Sequence, residues 1–113
     1  MKIVVNYLDG EIFQHFGQTP EFKVYEVEDS KIVDSYVISA DPEGHRALGK
    51  QLVTLKADVV ICGSLGIPML EILQGAGIEV CGNVSGNADE AVQAYLNGTL
   101  KSSTEAHSCG CGH

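Results

Sequence analysis

Two thiols and two imidazoles fall within seven residues near the end of the chain, in His107-Ser108-Cys109-Gly110-Cys111-Gly112-His113. Half of the four cysteines are here. Thiolate and imidazole suit soft or borderline metals such as copper, zinc and iron-sulfur clusters, and the glycines let both sulfurs turn toward one ion. Metal handling is therefore the first chemistry suggested, with His107, Cys109, Cys111 and His113 as candidate ligands. The Cys109-x-Cys111 spacing is tighter than that of structural zinc sites. Closing a jointed strip around an ion costs chain entropy, which favours transient or shared ligation over a permanent fold-stabilising site. The competing reading is a chain terminus that merely contains cysteine and histidine.

Other candidates lie upstream. His15-Phe16-Gly17 follows the first apolar run, where an imidazole can point across a sheet edge; the plainer reading is a surface histidine beside a packed phenylalanine. Cys62-Gly63 and Cys81-Gly82 close two further apolar runs. If those strands are in matching register, both thiols face one side and add soft ligands near His15, although free cysteine is also a common core residue. Gly63-Ser64-Leu65-Gly66 precedes a helical pattern, and the free amides of a helix start can hold an anion. It lacks the Lys-Ser/Thr of a phosphate loop. His45 and Arg46, at the start of another helix, offer a ligand and a cation, or simply a solvated helix end. No Gly-x-Ser-x-Gly, no His-Glu-x-x-His and no carboxylate tied to a nucleophile is present, so a non-enzymatic protein is expected.

The elements that must position these residues are legible from periodicity. Residues 2–7 form a β-rich run ended by a turn at Asp9-Gly10. Residues 22–27 and 32–38 read as a hairpin across Glu28-Asp29-Ser30-Lys31. From Gly44 the period becomes helical through Leu48, Leu52 and Leu55, ending near Ala57. The continuous run 59–62 suits a strand buried on both faces. Pro68 opens a second helix that Gly75 and Gly77 stop, residues 78–81 form a fifth strand, and Asn87 with Glu90 has the spacing of a helix cap before a helix that runs to Gly98. The order is βββαβαβα. It predicts an α/β domain with one five-stranded mixed sheet, strand two antiparallel, and helices on both faces. Ligands of such sheets bind beyond the carboxyl ends of the parallel strands, here strands one, four and five.

A length of 113 residues with 44% hydrophobic content fits one domain, taken as residues 1–100, followed by a polar segment at 101–113. Eight residues from Lys101 to Cys109 extend at most roughly 26–29 Å, enough to reach across a domain of this size. Seven basic against fifteen acidic residues give a net charge of −8, which repels nucleic-acid backbones and anionic membranes. No stretch approaches the roughly 18 apolar residues of a membrane span, so the expected compartment is the cytoplasm, where cysteines serve as thiols or ligands rather than disulfides. An exposed edge strand permits a monomer or a weak homodimer.

Taken together and in order, four segments carry a specific resemblance. They are Met1-Lys2-Ile3-Val4-Val5; His15-Phe16-Gly17-Gln18-Thr19-Pro20-Glu21-Phe22; Ala57-Asp58-Val59-Val60-Ile61-Cys62-Gly63-Ser64-Leu65-Gly66; and Ala76-Gly77-Ile78-Glu79-Val80. Over residues 1–100 the chain resembles the dinitrogenase iron-molybdenum cofactor-binding family. The resemblance implies a ribonuclease H-like sheet and a role in holding or delivering a metal-sulfur cofactor to or from donor and acceptor proteins. The cargo it implies is an iron-sulfur, iron-molybdenum-sulfur or molybdenum-copper-sulfide cluster, transiently bound. The family's His-Phe-Gly maps onto His15, Phe16 and Gly17. Its histidine- and glycine-rich loop is represented by Pro42-Glu43-Gly44-His45-Arg46, and its glycine turn by Gly63 to Gly66, with Ser64 where a second glycine is common. A regulatory interaction module without a bound cluster, whose tail binds simple zinc or copper ions, is the alternative.

Overall fold

The computed structural model describes residues 1–100, apart from the His45 side chain; the Cys/His strip at 107–113 lies outside the described residues. Ten elements follow one another: strand β1 (Lys2–Leu8), strand β2 (Glu11–Ile12), a 3-10 turn (Phe16–Gln18), strands β3 (Glu21–Glu28) and β4 (Lys31–Ser39), helix α1 (His45–Thr54), strand β5 (Val59–Ile61), helix α2 (Ile67–Gly75), strand β6 (Glu79–Cys81) and helix α3 (Ala88–Asn97). The sheet runs β4-β3-β1-β5-β6, with β2 attached to β1. β1 pairs antiparallel with β3 and parallel with β5, and β5 pairs parallel with β6. The expected mixed sheet with a reversed second strand is thus present, that strand being β3.

One expectation needs correction: the sheet has six strands, not five. Asp9-Gly10, expected as a simple turn, reverses the chain tightly enough to pair Tyr7 with Ile12 and Leu8 with Glu11. Both turn residues have positive φ, 49° and 89°, as a primed hairpin turn demands. Asp29 and Ser30 do the same between β3 and β4. Helix α1 also stops three residues early. Lys56 takes φ 61° and the Ala57 amide bonds back to Leu52 O at 3.2 Å, a left-handed stop that the leucine period does not foretell.

Alternation along β1 divides the core in two. Val4 faces α1 and α2, in a cluster with Phe22, Val24, Val60, Leu48, Leu52 and Leu73. Ile3 and Val5 face α3, with Tyr25, Ile61, Ala88 and Val92. Each fully buried side chain of this kind contributes about 1.5–3 kcal/mol relative to exposure, so the central strand is anchored from both sides. Edge strand β4 carries a bulge at Val33, because Val27 pairs with Ile32 while Glu26 pairs with Asp34. Bulges of this kind blunt an edge against further pairing. Asn87 caps α3, its side chain accepting from the Glu90 amide at 2.9 Å, and Gly98 closes the helix at φ 77°.

Candidate functional site

Three loops, which follow β2, β5 and β6, are tied together by backbone bonds. The Ser64 amide donates to Gln14 O at 2.8 Å and the Phe16 amide to Ser64 O at 3.1 Å, forming a parallel bridge between His15 and Ser64. Ser64 Oγ adds a bond to the same Gln14 O at 2.9 Å. From the third loop, the Asn83 amide reaches Gly63 O at 2.8 Å and the Val84 amide reaches Cys62 O at 2.9 Å. Gln14 completes the lock: its Nε2 donates to Ile12 O and Val84 O, both at 3.1 Å. Gly63 is required by this closeness. A Cβ there would sit 2.6 Å from Gln14 Cα and 2.7 Å from Gln14 O.

The result is a shallow depression of about 310 Å³ lined by His15, Phe16, Gly17, Gln18, Ser64, Leu65 and Gly66. Five of the candidate residues, His15, Phe16, Gly17, Ser64 and Gly66, therefore share one surface, and Gly63 lies behind it holding two loops in contact. Phe16 and Leu65 are buried, while His15 and Ser64 stand exposed at the rim. The His15 ring packs edge-on to Phe13, centroids 6.5 Å apart. No side chain among the described residues hydrogen-bonds its imidazole, so its ring nitrogens are available to a ligand. The amides of Leu65, Gly66 and Ile67 precede the first intrahelical bond of α2, from the Leu70 amide to Gly66 O at 3.0 Å. With Gly66 as an N-cap lacking a side-chain acceptor, that helix start turns partial positive charge toward the depression.

The two cysteines do not join this surface. Register pairs Ile61 with Cys81, so Cys62 lies one residue further along and the thiols fall on opposite faces. Cys62 packs with the α1/α2 cluster and Cys81 with the α3 cluster. The matching register that would turn both thiols to one side is therefore not met, because a one-residue offset reverses a strand side chain, and both cysteines take the alternative role of core residues. Burial, with a smaller contribution from Cys81, pushes the Cys62 thiol up to about 12, so it stays protonated at neutral pH and is no ready ligand. Among the described residues no three of His, Cys, Asp or Glu converge on a metal-sized site.

His45 is the first residue of α1, behind an N-cap Gly44; its side chain, like His107, Cys109, Cys111 and His113, lies outside the described residues. Its neighbour Arg46 lines a more apolar groove of about 680 Å³ with Gly66, Pro68, Met69, Glu71 and Ile72, and Gly66 is shared with the depression. Sequence reasoning missed Phe13 and Gln14. Phe13 adjoins the His-Phe-Gly triplet, but nothing in a lone glutamine announces bonds to residues 70 positions away.

Comparison with known proteins identifies the fold and the family. Residues 1–98 match the dinitrogenase iron-molybdenum cofactor family. The chain is 33% identical over 104 residues to the FeMo cofactor biosynthesis protein NifB of Azotobacter vinelandii; the match takes in 82% of this chain but only 21% of that protein. Among solved structures, PH0822 superposes with a TM-score of 0.86 at 22% identity, covering 95% of this chain and 98% of that one. The apo orange protein of Desulfovibrio gigas gives 0.77 at 23% identity, covering 91% and 92%. The structural likenesses establish the fold; the match over residues 1–98, which takes in both rims of the depression, places the chain in the dinitrogenase iron-molybdenum cofactor family.

Proposed function

We propose that this domain carries an anionic metal-sulfur cofactor, or a precursor of one, between donor and acceptor proteins without transforming it. The observation that carries this reading is the depression itself: an exposed imidazole shares it with a helix start whose first amides have no partner among the described residues. Imidazole suits a soft or borderline metal, and neutral amides offset sulfide charge in a protein whose net charge is −8. A resident metal-ligating histidine normally has a second hydrogen-bond partner that fixes its tautomer and ring angle. Among the described residues His15 has an aromatic neighbour instead, which suits a ligand that accepts and gives up its cargo. Iron-sulfur, iron-molybdenum-sulfur and molybdenum-copper-sulfide clusters all fit this chemistry. The ribonuclease H-like assignment belongs to the same reading and is supported by the order β4-β3-β1-β5-β6 with β3 reversed. The charge supports cytoplasmic protein partners rather than nucleic acid or anionic membrane.

Cys109, Cys111 and His113 enter the proposal as accessory ligands for capture and handover. Anaerobic reconstitution of the full chain with iron, molybdate and sulfide, followed by metal and sulfide analysis, tests it. Stoichiometric loading with a charge-transfer absorption band is expected, weakened several-fold in His15→Ala; unchanged loading in that variant removes His15 from the site. A chain ending at residue 101 is expected to keep the fold and lose handover. The alternative is a regulatory interaction module without a cluster, its tail binding zinc or copper. It draws support from the lack of a three-ligand group among the described residues. Protein purified anaerobically without stoichiometric metal or sulfide, but with a defined partner enzyme bound, would favour it.

A further inference from the structure

Asn6 ends the buried part of β1 at 0% exposure, and neither its Oδ1 nor its Nδ2 has a hydrogen-bond partner among the described residues. Such a group is costly to bury, and native interiors hold few of them. A buried strand position preceded by Val4 and Val5 would be filled more stably by an aliphatic side chain. The carboxamide therefore needs a reason other than folding.

Its place in the sheet supplies one. Asn6 shares a face with Val4, pairs with Phe22 on β3, and on the other side meets Cys62, one residue beyond the Val5–Ile61 pair. Phe22 and Cys62 belong to the same cluster as Phe16 and Leu65, the two buried residues that form the floor of the depression. Phe16 packs on Phe22 with ring centroids 6.5 Å apart. Asn6 thus lies beside Phe22, the residue whose ring packs on the floor residue Phe16. The hydroxyl at the rim, Ser64 Oγ, is already committed to Gln14 O. An uncommitted, uncharged N–H donor beside a site for a sulfide-bearing anion is what such cargo requires in an acidic protein.

We propose that the Asn6 carboxamide is an interior contact of the site, donating Nδ2–H to a sulfide of the bound metal-sulfur anion once the Phe16 side chain swings off the floor. This inference rests on the carrier reading above. The empty protein bears the cost of the unpaired amide and the loaded protein recovers it, so Asn6 couples loading to a change in the floor.

Tetrathiomolybdate, a diamagnetic molybdenum-sulfide anion, is the probe. It is titrated anaerobically into the full chain and followed by visible absorption and by amide nuclear magnetic resonance. The Asn6 side-chain pair is assigned by its loss in Asn6→Ser and in Asn6→Leu, the second of which keeps the shape and removes both polar atoms. Binding is expected to shift that pair, while Asn6→Leu melts higher than wild type and binds about tenfold or more weakly, the change expected of one hydrogen bond to a charged acceptor. Asn6→Ser, with a shorter donor, should fall between. Should Asn6→Leu not fold, the resonance shift in wild type and the Asn6→Ser affinity decide. If wild type binds and His15→Ala weakens binding, yet the Asn6 pair does not move or the variants bind as tightly, the Asn6 contact is overturned and the carrier reading stands. If wild type does not bind the anion, both fail.

Discussion

Replacing Gly63 by alanine perturbs the site without touching any group that would meet a ligand. The new Cβ would lie 2.6 Å from Gln14 Cα and 2.7 Å from Gln14 O, and backbone rather than a flexible side-chain tip must yield. Ordinary van der Waals contact needs roughly 3.5–4.0 Å, so the loops must part by about 1 Å. Overpacking of this kind costs about 1–3 kcal/mol. The Ser64 amide to Gln14 O bond, at 2.8 Å, and the Phe16 amide to Ser64 O bond, at 3.1 Å, cross the same gap. Losing one of them adds about 1 kcal/mol, for a total of about 2–4 kcal/mol. With about 4 °C of melting temperature per kcal/mol in a domain of this size, the expected fall is roughly 8–16 °C. Thermal unfolding by circular dichroism measures it. Gly75→Ala is the control: nothing lies within 4 Å of its added Cβ and it ends a helix, so it should leave the melting temperature unchanged or raise it slightly. A Gly63→Ala protein within about 0.5 kcal/mol of wild type, the range of neutral surface changes, would refute the argument that the two loops are held by backbone contact.

Two further outcomes follow from the same coordinates. The folded-state pKa of Cys62 is pushed up to about 12 by burial and by Cys81, above its ordinary value of 9.0, so between those pH values the unfolded chain holds fewer protons than the folded one. Stability from this group should be fully present below pH 9 and fall by up to about 1.4 kcal/mol per pH unit as the pH rises toward 12. Tyr25, raised chiefly by burial, and Tyr95, likewise, act in the same direction above their ordinary value. Urea unfolding at pH 8, 9.5 and 11 checks the slope, which should be shallower in Cys62→Ala than in wild type; equal slopes would exclude Cys62 as a contributor. Removing the α3 cap with Asn87→Ala frees the Glu90 amide and should cost about 1 kcal/mol, read as a shift in the urea midpoint at constant slope.

Local chemistry made much of the fold readable. The leucine period of α1, Pro68 near the start of α2, and Asn87 and Gly98 at the ends of α3 each act within a turn or two of chain, so neighbouring residues suffice to recognise them. Misreadings arose where a short-range signal was ambiguous. Asp9-Gly10 announces a turn but not whether the next residues find a partner, and Lys56 takes a left-handed conformation that lysine does not advertise. For the candidate site, His15 to Gly17 and Gly63 to Gly66 were legible because the loops after parallel strands gather at one edge of such a sheet.

By itself, the sequence determined the order of the five longer strands and three helices, the burial of β5 on both faces, the acidic charge that disfavours polyanionic partners, and the residues at both rims of the depression. Tertiary structure decided the rest. Whether Cys62 and Cys81 look the same way depends on a one-residue register between strands separated by a helix, and they do not. The approach of Gly63 to Gln14, the reach of Gln14 to Val84 and the isolation of the Asn6 amide beside Phe22 and Cys62 link segments tens of residues apart. Periodicity reports which face of its own element a residue occupies. Only packing of one element on another reports which groups meet, which are pressed together, and which buried donor is left without a partner.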